Sequence, residues 1–341
     1  MKSNLKLFIL VLLLFSCFTT GCSNAMESAS KTNDKISVGV LVGTYDDTWR
    51  TLVRNQLYQM AEEENIEMSI WNSDSSEDTQ SQNVDLLIQK KVDVLVVNPV
   101  NSSSSENVIN KAKKADIPVI FFNIEPSSEV IQSWDKAYYV GAIAEKSGTM
   151  QGQILADYFK ENLPVDNTIR YVMLKGPEEY QDAVLRSKYS IQALEKAGFQ
   201  VSEVATEIAD WDRENAKEKM TTILQDYDSE FNCVLANNDD MALGAIDALK
   251  SAGYFSGGKY IPVVGVDATS SAQSAVKNGT LLGTVLNDAA NQSTAIFELA
   301  TLLAENNTPN ENNITYPITD KQYIWIDYKK VTKEDITSSA E

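Results

Sequence analysis

Short apolar runs rich in β-branched residues alternate with segments of helical periodicity along most of the chain. The run Ile36-Ser37-Val38-Gly39-Val40-Leu41-Val42 has the composition of a parallel strand buried on both faces. Apolar residues at helical spacing follow it from Trp49 to Ala61. Further strands are predicted at 66–71, 92–97, 117–122, 169–174, 201–206, 233–236 and 261–266, with helices near 78–91, 104–115, 144–162, 180–197, 213–226, 239–252 and 269–278. The rhythm restarts after Tyr138–Gly141, so the pattern predicts an α/β protein with two doubly wound parallel sheets.

Length and charge limit what such a chain does. Its 341 residues are enough for two α/β domains, each with its own core. The net charge of −19, from 48 acidic and 29 basic residues, argues against nucleic acid as a partner, because a phosphate backbone would be repelled. There is no histidine, which removes the usual general base and the commonest metal ligand.

The N-terminus indicates export. Lys2 and Lys6 precede the apolar run 7–15, and Gly21-Cys22-Ser23 follows it. A positive end, a short apolar run and a small residue at the cleavage site predict that residues 1–22 are a secretory signal. A cysteine directly after a small residue resembles a bacterial lipobox, which predicts lipidation of Cys22 and a place on the outer face of the cell membrane. Cys17 is the alternative lipidation site, and a soluble secreted protein with an unlipidated Cys22 is the second alternative. Polar residues 23–34 are expected to form a flexible tether.

The remaining cysteine, Cys233, lies in the apolar run Cys233-Val234-Leu235-Ala236. A lone cysteine in such a run is expected to be a small buried hydrophobic residue.

Polar residues follow several predicted strands at the point where each strand ends. They are Asp46, Asp47, Asn123, Glu125, Asn237, Asn238 and Asp267, with Trp49 close to the first strand. One such residue is ordinary helix capping. In doubly wound sheets, however, ligands bind beyond the carboxyl ends of the strands, so this set predicts the floor of a polar ligand site.

Seven blocks in order along the chain carry a resemblance to a known family. They are Tyr45-Asp46-Asp47-Thr48-Trp49, Phe121-Phe122-Asn123-Ile124-Glu125-Pro126-Ser127, Asp135-Lys136-Ala137-Tyr138-Tyr139-Val140-Gly141, Leu174-Lys175-Gly176, Ala236-Asn237-Asn238-Asp239, Gly265-Val266-Asp267-Ala268 and Gly283-Thr284-Val285-Leu286-Asn287-Asp288. Together they resemble the bacterial galactose/glucose-binding proteins. The resemblance implies a type I periplasmic binding protein fold, in which two lobes joined by a hinge close on one monosaccharide.

The resemblance also implies a site and domain boundaries. The residues implied to hydrogen-bond sugar hydroxyls are Asp47, Asn123, Asp182, Arg186, Asn238, Asp267 and Asn287, and those implied to stack on the pyranose ring are Trp49 and Trp211. Tyr180 stands where the family usually has histidine, which leaves open which sugar fits. The expected lobes are 35–142 plus 287–323 and 143–286 plus 324–341, with hinge segments near Glu125–Ser128, Asp267–Ser270 and Asn287–Ala289.

These residue types suit a sugar on chemical grounds as well. Carboxylates accept hydrogen bonds, guanidinium groups donate them and amides do both, so the set can satisfy a ring of hydroxyls. Aromatic faces cover the C–H patches of the ring. Asp182 and Arg186 are four residues apart, so a helix would place them on one face.

The predicted function is capture of a hexose, glucose and/or galactose, for the transmembrane subunits of an ABC uptake permease, by a monomer without a cofactor. A sugar sensor that presents its closed form to a chemoreceptor or sensor kinase is the alternative. A glycosidase is disfavoured because no general-acid motif accompanies the carboxylates, and a DNA-binding repressor because a signal sequence occupies the N-terminus. No metal is expected: the loop 162–168 is short for the family's calcium site, and Asn232 replaces its distant acidic ligand.

Overall fold

Strands and helices alternate in the computed structural model, which describes residues 35–228 and 230–338. Residues from Ile36 onward form one compact unit. The strands are β1 Ser37–Val42, β2 Glu67–Asn72, β3 Val94–Val97, β4 Val119–Phe122, β5 Ala137–Gly141, β6 Thr168–Lys175, β7 Gln200–Ile208, β8 Cys233–Ala236, β9 Val263–Val264, β10 Gly283–Leu286, β11 Ile318–Thr319, β12 Tyr323–Trp325 and β13 Lys329–Thr332. The helices are α1 Thr48–Glu63, α2 Glu77–Gln89, α3 Ser104–Ala115, α4 Ser128–Gln132, α5 Ala144–Glu161, α6 Gln181–Lys196, α7 Arg213–Tyr227, α8 Asp239–Ser251, α9 Ser270–Asn278, α10 Ala289–Ala304 and α11 Lys333–Ser338.

Two sheets organise these elements into two lobes. The first sheet has the order β11-β12-β5-β4-β3-β1-β2 and the second the order β13-β10-β9-β8-β6-β7. Neighbouring strands run parallel except at one edge of each sheet, where β11 and β13 pair antiparallel with their neighbours. The predicted α/β class with two doubly wound sheets is confirmed.

The central strands are buried because helices cover both faces of each sheet. All four residues of β3 are buried, and so are all four of β8. Their continuous runs of apolar residues leave no solvent-facing side, as is typical of parallel sheets. Polar residues begin directly after the buried strands end: Asn123 follows β4, and Asn237 and Asn238 follow β8.

The chain passes between the sheets three times. These crossings are residues 142–143 between β5 and α5, 287–288 between β10 and α10, and 326–328 between β12 and β13. The third lies beyond the expected boundary at Tyr323, because the strand that begins there continues to Trp325 in the first sheet.

Two of the three expected hinge segments are wrong. Glu125–Ser128 joins β4 to α4, and β4 and the next strand, β5, belong to the same sheet. Asp267–Ser270 likewise joins β9 to α9 before β10 of the same sheet. The third expected segment, Asn287–Ala289, does contain a crossing.

Helices α5 and α6 approach closely in the second lobe, and this contact positions part of the site. A Cβ on Gly148 of α5 would lie 2.5 Å from the backbone oxygen of Arg186, and one on Gly152 would lie 2.2 Å from that of Ser190. Only glycine admits the neighbouring backbone at these distances. The two glycines therefore set where α6 presents its side chains.

Candidate functional site

A cavity lies between the lobes, and we call it the central cavity. It is lined by Asp47, Trp49, Arg50, Asn123, Ile124, Tyr180, Asp182, Arg186, Trp211, Asn238, Asp267 and Asn287. All ten candidate ligand-binding residues of the sequence analysis are in this set, so the structure brings them together. Arg50 and Ile124 are additions that the sequence analysis did not make.

The first turn of α1 supplies one wall. Asp47 is the N-cap of this helix, and its Oδ1 accepts a hydrogen bond of 2.6 Å from the backbone N–H of Arg50. Its Oδ2 accepts a second bond, of 3.2 Å, from Nη1 of the same arginine. The helix N-terminus and the guanidinium together hold this carboxylate at the cavity wall.

Arg50 donates hydrogen bonds to Asn98 as well as to Asp47. Its Nε donates a 2.8 Å hydrogen bond to Oδ1 of Asn98, which also accepts a bond from the backbone N–H of Gly43. Arg50 is 7% exposed. Its position three residues after an N-capping aspartate was a signal for this contact, but the burial depends on Asn98, which is distant in sequence.

Trp49 is anchored to the second crossing. Its Nε1 donates a 2.8 Å hydrogen bond to the backbone oxygen of Asn287. The side chain of Asn287 accepts a 2.7 Å bond from Gln292 and donates a longer one, of 3.4 Å, to Asp267. These contacts fix the indole and the amide at the edge of the central cavity.

Asn123 ends β4 with a left-handed backbone, at a φ of 63°. Asparagine adopts this conformation more readily than most residues. Its backbone oxygen accepts a 2.7 Å hydrogen bond from the hydroxyl of Tyr139. The turn away from the strand places Asn123 at the floor of the cavity.

Helix α6 supplies the opposing wall. Asp182 and Arg186 form the pair that the spacing predicted, with 3.5 Å between Oδ2 and Nη2. Nη1 of Arg186 also donates a 2.8 Å bond to the backbone oxygen of Asn237. The Nε of Arg186 is buried without a hydrogen-bond partner in the described part of the chain. Burial opposes the charge on this arginine, but Tyr328, Asp182 and Asp267 together raise its pKa above the ordinary value.

Trp211 and Tyr180 form an aromatic corner of the same lobe. Trp211 packs directly against Gly176, where a Cβ would lie 2.1 Å from the indole ring. The Tyr180 ring meets it edge to face, with 6.1 Å between centroids. Burial raises the pKa of Tyr180, although Arg50 from the other lobe opposes the shift, so the hydroxyl stays protonated and can donate.

The floor of the second lobe carries two buried carboxylates. Burial raises the pKa of Asp267 well above its ordinary value, although Arg186 lowers it. Asp239 lies beneath the cavity floor, where its two oxygens accept bonds of 2.6 Å from Thr284 and 2.7 Å from the backbone N–H of Thr269. Burial raises the pKa of Asp239 to about 7 despite these bonds. Asp239 belonged to a matching sequence block but was not proposed as a site residue.

Asn238 connects the floor to the aromatic corner. It is the N-cap of α8, and its Oδ1 accepts a 3.0 Å bond from the backbone N–H of Met241. Its amide donates a 3.1 Å bond to the backbone oxygen of Trp211. The cavity thus combines carboxylate acceptors, guanidinium and phenol donors, amides and two indoles, which is a set that can satisfy a hydroxylated ring with apolar faces.

Residues 38–308 match the model of a known family, described as a periplasmic binding protein domain. The chain belongs to the periplasmic binding protein family. This is a family of solute-binding proteins and in general not of enzymes. The resemblance seen in the sequence is thereby confirmed.

Several relatives within the periplasmic binding protein family cover nearly the whole chain. The D-galactose/methyl-galactoside binding periplasmic protein MglB of Haemophilus influenzae is 34% identical, over 88% of this chain and 90% of that protein. The ribose import binding protein RbsB of Bacillus subtilis is 26% identical, over 88% of this chain and 93% of that one. A solved ABC transporter solute binding protein from Bacillus halodurans C-125 with bound myo-inositol has a TM-score of 0.75 at 26% identity, and covers 90% of this chain and 99% of that chain.

Other sequence predictions concern regions away from the cavity. The signal peptide 1–22 with Cys17 and Cys22, and the tether 23–34, lie outside the described residues and stay predictions. Within residues 35–228 and 230–338, the helices are too short or too polar to cross a membrane. Cys233 is fully buried, and burial raises the pKa of its thiol.

The loop expected to hold no calcium, residues 162–168, joins α5 to β6. Asp166 in this loop pairs with Arg170, whose hydrogen bond lowers the pKa of that carboxyl to about 2. The side chain of Asn232 makes two hydrogen bonds. Its Oδ1 accepts one of 2.9 Å from the backbone N–H of Arg170, and its Nδ2 donates one of 3.1 Å to the backbone oxygen of Thr168. These groups already have protein partners, and the absence of a metal stays a prediction.

Proposed function

We propose that this chain captures a hexose, D-glucose and/or D-galactose, outside the cytoplasm and delivers it to an ABC uptake permease. The observation that carries the proposal is the lining of the central cavity, where acceptors, donors and indoles from two lobes face one another. The 34% identity to a relative named for D-galactose and methyl-galactoside supports a hexose. A pentose or a cyclitol is the competing ligand, since other relatives are named for ribose or hold myo-inositol.

Capture follows from the division of the lining between the lobes. Asp47, Trp49 and Asn123 belong to the first lobe, whereas Asp182 and Arg186 belong to the second. A sugar that contacts both sets gains its full binding free energy only when the lobes are closed. The ligand therefore shifts the population toward the closed form, which is the form offered to the permease.

Tyr180 is the residue with most influence on which hexose binds. Its phenol is protonated and borders the cavity near Trp211, so it can donate to one sugar hydroxyl. A site built to hydrogen-bond a hydroxyl rejects a sugar that lacks it or presents it on the other side, because a buried polar group is then left unpaired.

Calorimetry with D-glucose, D-galactose, D-ribose, L-arabinose and myo-inositol tests the proposal. We expect one hexose per chain with a Kd on the order of 1 μM or below, and weaker binding of the pentoses and the cyclitol. Incubation with aryl glycosides should give no turnover. Lack of binding to either hexose, or hydrolysis of the aryl glycosides, would refute the proposal.

The anchored, monomeric state is part of the same proposal. Mass spectrometry of the exported protein should find a diacylglyceryl group on Cys22, and Cys22→Ser should release the protein from the membrane fraction. Retention of the lipid in Cys22→Ser would instead assign it to Cys17. Light scattering should give the mass of one chain with and without sugar.

A further inference from the structure

The segment that carries Asp267 has a left-handed backbone at two successive residues, and we call residues 267–269 the floor turn. The turn follows β9 and contributes Asp267 to the lining of the central cavity. Asp267 has a φ of 118° and Ala268 a φ of 55°, and neither residue is glycine. Residues with a Cβ adopt such angles at a cost in free energy, so the floor turn persists only where surrounding groups hold it.

The carboxylate of Asp267 depends on this backbone for its orientation. The hydrogen bond that it accepts from Nδ2 of Asn287 is long, at 3.4 Å. A hydrogen bond of that length is weaker than one of ordinary length and fixes a side chain less well. The position of the carboxylate in the cavity is therefore set mainly by the conformation of the floor turn.

Asp239, the first residue of α8, holds the floor turn from beneath. Its Oδ2 accepts a 2.7 Å hydrogen bond from the backbone N–H of Thr269, and its Oδ1 accepts one of 2.6 Å from the hydroxyl of Thr284. The oxygen of that hydroxyl accepts a 3.2 Å bond from the backbone N–H of Ala268. Asp239 and Thr284 are both fully buried, so these bonds are made away from solvent. One carboxylate and one hydroxyl thus hold the two N–H groups that follow Asp267.

The space for the carboxylate of Asp239 is provided by a glycine next to β9. A Cβ on Gly265 would lie 2.3 Å from Oδ1 of Asp239, so a larger residue at this position would displace the carboxylate. Asp239 is not part of the lining of the central cavity. It therefore acts on a ligand through the floor turn and not by direct contact.

The groups around Asp239 call for a carboxylate and not an amide. The hydroxyl of Thr284 accepts from Ala268, so its hydrogen is free to point at Asp239, and the N–H of Thr269 is a donor as well. A carboxylate accepts from both donors, whereas an asparagine would turn its own amide hydrogens toward one of them. An acidic residue in the first turn of a helix is ordinary when exposed. Burial here raises the pKa of Asp239 to about 7, so the charge is kept at this place against a cost.

We propose that Asp239 and Thr284 are positioning residues for ligand binding, which hold the floor turn in the left-handed conformation that presents the Asp267 carboxylate to the sugar. This inference rests on the proposed function for the identity of the sugar as a hexose. Without the pair, the floor turn relaxes toward an unstrained backbone, and the hexose loses its contact with Asp267 while the other walls of the cavity stay in place.

Calorimetry with D-glucose and D-galactose on two Thr284 variants tests the proposal. Thr284→Val keeps the shape of the side chain and removes the hydroxyl, whereas Thr284→Ser keeps the hydroxyl. We expect Thr284→Val to raise the Kd of the hexose about tenfold and Thr284→Ser to raise it less than about threefold. Equal effects of the valine and serine variants would overturn the role of the hydroxyl.

Asp239→Asn should raise the Kd about as much as Thr284→Val, roughly tenfold. Its matched control is Asp247→Asn on the same helix, where the carboxylate pairs with Arg213 at the surface. The control should change the Kd less than about twofold. If Asp239→Asn does not fold, the two Thr284 variants carry the test.

A double-mutant cycle separates positioning of Asp267 from general loosening of the site. In Asp267→Ala the floor turn has no carboxylate to present, so adding Thr284→Val should raise the Kd less than about twofold further. In Asp47→Asn, which changes the other lobe and keeps a helix cap, Thr284→Val should retain its effect of about tenfold. Equal effects of Thr284→Val in the two backgrounds would overturn the proposal.

Hydrogen exchange without sugar separates this inference from the proposed function. Both the Ala268 and Thr269 amides should exchange at least about tenfold faster in Thr284→Val, because the pair holds them as a unit. The N–H of Asp267 donates a 2.8 Å bond to the backbone oxygen of Val285 and should keep its rate. If the wild type binds neither hexose, the proposed function is wrong, and unchanged exchange at both amides shows that the pair does not hold the turn. If a hexose binds but its Kd is unchanged in Thr284→Val, the positioning role alone is wrong.

Discussion

The indole nitrogen of Trp49 and the backbone oxygen of Asn287 are joined by a hydrogen bond of 2.8 Å. Trp49 lies in the first turn of α1, and Asn287 lies in the crossing between β10 and α10. Both line the central cavity. The bond therefore ties the orientation of an aromatic wall to a segment that connects the lobes.

Trp49→Phe keeps an aromatic ring but removes this hydrogen bond. Because Asn287 is 3% exposed, its carbonyl loses a partner where water is excluded. We expect the free energy of unfolding to fall by about 1–2 kcal/mol, and hexose affinity to fall as the ring is freed. Urea unfolding and calorimetry measure the two effects. Trp71→Phe, away from the cavity, is the control, and an equal loss of hexose affinity in both variants would contradict the assigned role.

Arg50 and Asp47 should behave as one unit. Arg50→Leu leaves the half-buried carboxylate of Asp47 without its cation, at a cost of about 3 kcal/mol in unfolding free energy. The double variant with Asp47→Asn should lose clearly less than the sum of the two single variants. Urea unfolding of the four proteins gives the coupling free energy. If the losses in unfolding free energy are additive, the ion pair between Arg50 and Asp47 contributes nothing to stability.

Gly148→Ala tests the contact between α5 and α6. The added Cβ would lie 2.5 Å from the backbone oxygen of Arg186, so α6 must move. We expect a loss of about 1–3 kcal/mol in unfolding free energy and weaker hexose binding, because Asp182 and Arg186 move with the helix. Thr149→Ala, at the next position of α5, should change stability by no more than about 0.5 kcal/mol. Unchanged stability and hexose affinity in Gly148→Ala would refute this packing account.

The buried carboxyl of Asp239 should make stability depend on pH. Burial raises its pKa from an ordinary value of 3.8 to about 7 in the folded chain. Between these values the folded state binds more protons than the unfolded state, so this group's contribution to the free energy of unfolding falls as pH rises from about 4 to about 7. Asp239→Asn removes the titration.

Denaturant unfolding of the wild type and Asp239→Asn across this pH range checks the prediction. The variant should gain stability relative to the wild type as pH rises toward 7, with little further change above it. A difference between the two proteins that is independent of pH would show that Asp239 titrates normally.

The sequence predicts the layers of the fold well because they depend on local patterns. Buried runs such as Val94–Val97 and Cys233–Ala236 have the apolar composition of parallel strands wherever they lie in the chain. The crossings depend instead on which sheet edge accepts each late strand. Ile324 pairs with Val140, and Lys329 pairs with Leu286, and neither pairing has a local sequence signal. For this reason the boundary expected at Tyr323 falls inside β12, and the sequence analysis assigns no helix or strand beyond residue 278.

The same distinction holds in the site. Asn123, Asn238 and Asp267 could be predicted because each follows a strand whose end the sequence marks. Arg50 looks like any charged residue on a helix surface until Asn98, from another strand end, is seen to bury it.

A crystal structure of the chain with bound D-galactose or D-glucose tests the central claim most directly. We predict one pyranose ring in the central cavity, with Trp49 and Trp211 on its faces and its hydroxyls bonded to Asp47, Asp182, Arg186 and Asp267. A hexose bound elsewhere, or a central cavity that stays empty at saturating sugar, would contradict the account.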